Sequence, residues 1–140
     1  MPVVWVQHTD AELEDSPEGS PPWQLIPELQ AEVTPDDLHI FKTYGDAFAE
    51  TPLPSELQRL GMSGTVLCGS QSEACETATL WGALHRGDDV QLVQGPHTTL
   101  DGEGGGVALP AEQIMALTDL RAQRIRLPDV ISTLVQSATF

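Results

Sequence analysis

Basic side chains are scarce. Six lysines and arginines face 21 aspartates and glutamates, a formal charge of −15, and such a surface repels nucleic acid phosphates and anionic lipid headgroups alike. Neither nucleic acid nor membrane is therefore expected as a partner. Lysine is reduced to one residue, Lys42, so its surroundings become of interest. Cysteine is nearly as rare: Cys68 and Cys75 are too few for a disulfide framework, and their spacing fits neither a CxxC redox pair nor a zinc pattern. Long apolar runs are missing too. None approaches the roughly 18 residues of a spanning helix, and the opening "MPVVWVQHTD" lacks the basic flank and cleavage site of a secretory signal. The expectation is a soluble, cytoplasmic protein.

What is present suits one folded unit spanning 1–140. Apolar residues make up 40% of the chain, spread in short blocks that can bury a real core. "PVVWV" (2–6), "DLHIF" (37–41), "GTVLCG" (64–69), "DVQLV" (89–93) and "QRIRL" (123–127) read as strands. Between them, "WQLIPELQ" (23–30), "PLPSELQRL" (52–60), "SEACETATLWGALHRG" (72–87) and "PAEQIMALTDL" (110–120) read as helices, and "PDVISTLVQ" (128–136) as a closing helix. Segments 10–22 and 101–106 read as loops. This alternation predicts an α/β fold, an open and mostly parallel sheet with helices on both faces. In such sheets ligands bind beyond the carboxyl ends of the strands, near the switch in strand order.

Three early loops leave that edge. The first carries His8 and Asp10, the second Lys42 and Asp46, the third Ser70, Ser72, Glu73 and Cys75. Cys75 falls at the start of a predicted helix, where free N–H groups and the helix dipole favour a thiolate and can hold an oxyanion. A nearby ammonium such as Lys42 would favour the thiolate further. The alternative for any lone cysteine is a buried, inert residue, and Cys68, inside the apolar block "TVLCG", is expected to be that. Trp5, Trp23 and Trp81 are expected in the core, with a pocket or interface as the alternative.

"VLCGSQSEACETAT" resembles the Gly-x-x-Thr-x-x-Cys signature of the isochorismatase-like cysteine hydrolases, and "FKTYGDAFAETPL" resembles their Lys-x-x-x-x-x-Phe-x-x-Thr-x-Leu segment. "PVVWVQHTD", "WQLIPEL" and "VQLVQGPHTTLD" are similar to further strands and loops of that family, in matching order. The resemblance implies an Asp–Lys–Cys triad that hydrolyses amides or vinyl ethers, with Cys75 as nucleophile and Lys42 as the triad lysine. It implies oxyanion donors at the backbone of Cys75 and near Gln71, a cis peptide at Ser70–Gln71, and assembly as a homo-oligomer, dimer or tetramer.

The same resemblance implies departures. The family's aspartate closes a strand preceding the Pro2–Val6 segment, so the expectation is a member without that strand and its acid, with Asp10 as a possible substitute. The family strand order 3-2-1-4-5-6 would then become a five-stranded 2-1-3-4-5 sheet. The alternatives are pairing completed by another chain or by a segment encoded upstream of Met1. Ser72 stands for the usual threonine, Glu76 for valine and Gly95 for aspartate, and the charges of Glu73 and Glu76 oppose a thiolate at Cys75. Nicotinamidases of the family hold a metal with an aspartate and several histidines; only His8 lies nearby here, so no metal and no cofactor are expected. His85 and His97 read as surface or capping groups. The expected function is hydrolysis of a small amide or related carbonyl substrate through Cys75, impaired without the acid. The alternative is a non-catalytic family member serving as a binding or assembly subunit; a nucleotide-binding module is disfavoured because "DGEGGG" (101–106) is placed unlike a phosphate loop.

Overall fold

The computed structural model describes residues 1–12 and 17–137. Residues 13–16 of the expected 10–22 loop, and 138–140, lie outside the described residues. Two parallel strands come first, β1 (Val4–His8) and β2 (Leu38–Lys42), both rich in β-branched and aromatic residues. They pair in register from Val4 opposite Leu38 to His8 opposite Lys42. The intervening "WQLIPELQ" is helical only as a 3₁₀ turn at Pro21–Trp23 and one turn, α1 (Pro27–Gln30). Helix α2 (Leu53–Arg59) follows, with proline in its first turn.

β3 (Gly64–Ser70), β4 (Asp89–Thr98) and β7 (Ser132–Gln136) form a second parallel sheet with β4 in its centre. Between β3 and β4, a π-helical turn at Ser72–Glu76 runs into α3 (Thr77–Arg86), which stops at Gly87 in the left-handed conformation. Leu80, Ala83 and Leu84 recur at helical spacing and are at most 3% exposed. They pack with Val90 and Leu92 of β4, Ile40 of β2, and Leu53 and Leu57 of α2 into one core. α/β organisation with parallel strands is what the alternating pattern predicted.

Three expectations need correction. "QRIRL" is not a strand, because α4 (Ala111–Arg124) continues through Arg121 and Arg124, whose charges complement its C-terminal end. The closing segment is not a helix. Pro128 begins a turn through Asp129 at φ 62°, and the β-branched residues that follow suit β7, where Ser132 is buried and donates to Ala122 O at 2.7 Å. Nor is 101–106 a plain loop: β5 (Gly102–Gly104) and β6 (Val107–Leu109) form an antiparallel hairpin. Its turn needs positive φ at Gly105 and Gly106 (60° and 79°), which glycine adopts without steric penalty.

The expected 2-1-3-4-5 order holds only within its two halves. No backbone ladder joins β1 to β3 among the described residues. A cavity of about 130 Å³ opens there instead, lined by Val4, Val6, Phe48, Thr65, Val66 and Leu67 among others. The two halves are held together by the shared core rather than by main-chain hydrogen bonds.

Candidate active site

The carboxyl ends of β1, β2 and β3 bring the chain's single lysine to one of its two cysteines. Lys42 ends β2 and is 6% exposed. Its ammonium donates all three N–H bonds inward: to Tyr44 O at 2.9 Å, Gly45 O at 3.0 Å and Cys75 Sγ at 3.0 Å. A buried cation is costly unless every donor is matched, and the two carbonyls of "TYGD" meet that need while aiming the third bond at sulfur. The ammonium is thus placed to stabilise negative charge on Cys75. No disulfide competes, since both cysteines are free.

Cys75 is half-buried in the Ser72–Glu76 turn. Before it, the peptide Ser70–Gln71 is cis, as the resemblance implied, and both residues are exposed. The Gln71 carbonyl accepts from the N–H groups of Ala74 and Glu76, each at 3.1 Å, so the loop and the turn form one hydrogen-bonded unit.

That unit is anchored from behind by residues the sequence left aside. His97, expected at the surface, is instead 0% exposed: β4 extends past Val93 to Thr98 and carries it inside. Its Nδ1 lies 2.8 Å from Ser72 Oγ and its Nε2 2.8 Å from Asp119 Oδ1. A carboxylate only accepts, so Nε2 carries a proton and Nδ1 is left to accept the Ser72 hydroxyl. Ser72 is itself 0% exposed, and its carbonyl accepts from Thr77 Oγ1 at 2.7 Å and Thr118 Oγ1 at 3.3 Å. With no access to substrate, this Ser–His–Asp array serves as an anchor, tying the Cys75 turn to β4 and α4. Replacing His97 by leucine is expected to leave both partners unmatched and to cost about 1–3 kcal/mol, read as a lower Tm in thermal unfolding. Asp119→Asn retains an acceptor and should cost less.

Other candidates fall elsewhere. Asp10 Oδ1 accepts from Glu12 N at 2.8 Å, and no hydrogen bond joins Asp10 to Lys42 or Cys75 among the described residues. His8 is the register partner of Lys42, and its Nδ1 is buried without a partner among the described residues. Burial first, and then the Lys42 charge, hold its pKa below the ordinary value, with Asp10 opposing. Cys68 is exposed rather than packed in the core, because β3 has no strand beside it on the cavity side. Its thiol pKa is nonetheless raised, mainly by the protein around it and secondly by Glu76. Trp5 and Trp23 are half-buried, donating to Asp37 and Thr9 at 2.9 Å each, and Trp81 stacks on His85. Among the described residues no three His, Cys, Asp or Glu side chains converge as a metal site.

An α/β scaffold that presents a half-buried cysteine at a helix start, with a saturated lysine donating to its sulfur, defines a thiol-centred site at the carboxyl edge of parallel strands. Residues 1–110 match the isochorismatase domain, and the chain belongs to the isochorismatase family. A streptothricin hydrolase from Streptomyces noursei is 37% identical over 99 residues, covering 71% of this chain and 35% of that protein. The chain thus spans about a third of the length of this relative. An isochorismatase family protein of known structure is 28% identical with a TM-score of 0.80, covering 96% of this chain and 72% of the other. A cysteine hydrolase from Pseudomonas syringae pv. phaseolicola shares the fold at a TM-score of 0.85 and 16% identity, over 98% of this chain and 68% of that one.

Proposed function

We propose that this chain hydrolyses a small amide or related carbonyl substrate, with Cys75 as nucleophile and Lys42 as its charge partner. The observation that carries this reading is the 3.0 Å contact from Lys42 Nζ to Cys75 Sγ at the mouth of the three loops. Membership of the isochorismatase family and relatedness to a hydrolase support it. Sulfur attacks the substrate carbonyl carbon, and the oxyanion is received by backbone N–H groups of the turn, those of Cys75 and of the Gln71 loop. The leaving group departs, and water cleaves the resulting thioester.

The two cysteines make the test internal. Iodoacetamide at pH 7 is expected to alkylate Cys75 at least tenfold faster than Cys68, whose raised pKa keeps it a thiol. Peptide mass spectrometry of a time course reads both rates in one sample. Equal rates, or no modification of Cys75 at pH 7, would favour a binding or assembly role for the same fold.

A further inference from the structure

Helix α4 buries one side and leaves leucines on the other. Thr118 and Ala122 face the protein, whereas Leu117 and Leu120 are 47% and 40% exposed. Val107 and Leu109 of the β5–β6 hairpin are exposed as well. A two-stranded hairpin is marginal in water unless it packs on something, and this one rests on α4, where a Cβ at Gly102 would lie 3.9 Å from Ile114 Cδ1. Leu109, Gln113, Ile114, Leu117 and Arg121 line a groove of about 350 Å³, joined by Glu73 from the Cys75 turn. Exposed apolar surface rimmed by polar groups in this way marks a docking site.

The charges on this face decide what docks there. The chain holds six basic residues against 21 acidic ones, yet two of the six, Arg121 and Arg124, occupy the last turn of α4. Acids gather at the opposite end: Glu112 in the first turn, and Asp101, whose Oδ1 accepts from Ala111 N at 2.8 Å. The ion pairs among the described residues are Glu56–Arg59 and His97–Asp119, so neither end of α4 is neutralised within the described chain. Leu117 stands at the middle of this 14-residue helix. A two-fold axis through it lays the acidic end of one α4 against the basic end of another, sets Gln113 opposite the partner's Arg121, and opposes the two helix dipoles. A uniformly basic partner would be repelled by the arginines and a uniformly acidic one by the carboxylates, whereas a second copy turned end for end satisfies both.

We propose that the α4 face, centred on Leu117, is the contact between two copies of this chain. The two helices run antiparallel across the axis, and the exposed leucines of each copy enter the groove of the other. Through Glu73 the partner abuts the turn that holds Cys75, so assembly and candidate site share one structural element. Association through this face does not require Cys75 to be reactive, so it stands or falls apart from the hydrolase reading.

Sedimentation velocity of the full chain over about 1–100 µM measures the association. The parent is expected to dimerise; Leu117→Glu, which sets two carboxylates face to face on the axis, should raise the dissociation constant by at least about 100-fold, and Arg121→Glu by about tenfold. Far-UV circular dichroism matching the parent's checks that each variant is folded. A second measurement needs no loss of contact: with oxidised glutathione, Leu117→Cys should form a disulfide between two copies at position 117 at least about tenfold faster than Ile131→Cys does at 131, a more exposed site outside the groove. Peptide mass spectrometry distinguishes these bridges from any at Cys68 or Cys75. The same assembly state in parent and Leu117→Glu, whether one chain or several, would overturn the proposal, as would bridging at 117 no faster than at 131. A larger parent assembly that Leu117→Glu halves supports it equally, and if that variant fails to fold the disulfide rates decide.

Discussion

Cys75→Ala should abolish turnover of any amide or ester the protein accepts, lowering kcat by about 10³-fold or more, whereas Cys68→Ser should stay within about twofold of the parent. The contrast rests on position. Cys75 lies in the turn that leads into α3, accepts from the Lys42 ammonium at 3.0 Å and adjoins the cis Ser70–Gln71 loop, so its replacement removes the thiol that the cation contacts. Cys68 lies on β3 with its thiol held protonated by its surroundings. Steady-state kinetics on the two variants, with p-nitrophenyl acetate as the first substrate, measure both effects. Activity surviving in Cys75→Ala would place the chemistry on another group.

The second large effect is expected at Lys42. Methionine fills nearly the same volume and removes three donors at once, leaving the carbonyls of Tyr44 and Gly45 and the Cys75 sulfur without their shared partner. Lys42→Met should slow iodoacetamide alkylation of Cys75 at pH 7 by about 10²-fold, from loss of the adjacent charge. It should also cost about 1–3 kcal/mol of stability from the lost donors, mainly at Tyr44 O because Gly45 O keeps the Thr79 hydroxyl at 3.4 Å, visible in denaturant unfolding. Arginine should not rescue either property. A planar guanidinium cannot direct three bonds tetrahedrally within a pocket shaped for a compact ammonium.

Part of this candidate site is legible in the sequence. Cys75 and Lys42 were legible because short-range rules govern both: a cysteine ahead of alanine-rich helical spacing that ends at Gly87, and a lone lysine at the end of an apolar strand. His97 was not, because its burial depends on β4 continuing through "QGPHT", a stretch whose glycine and proline suggest a loop. Nothing local ties it to Asp119, 22 residues away on α4. Glu76 stands out in the sequence for its charge and for taking the place of a valine, but not for its burial; a glutamate in a first helical turn is normally a solvated one, and its inward path depends on the space above Gly69. The exchange of helix and strand beyond residue 120 has a similar origin. Pro128 reads as a helix start in the sequence, yet the β-branched residues behind it pair at the sheet edge with β4.

The cavity between β1 and β3 bears on how the molecule can come apart. Among the described residues, main-chain hydrogen bonds place β1–β2 and β3–β4–β7 in separate ladders, and ladders without shared hydrogen bonds can open independently, each with its own free energy. Lys42 belongs to the first and Cys75 follows directly from the second. The Lys42–Cys75 contact therefore bridges a mechanical seam, and any loosening of one ladder against the other would part the ammonium from the sulfur before it unfolds the protein.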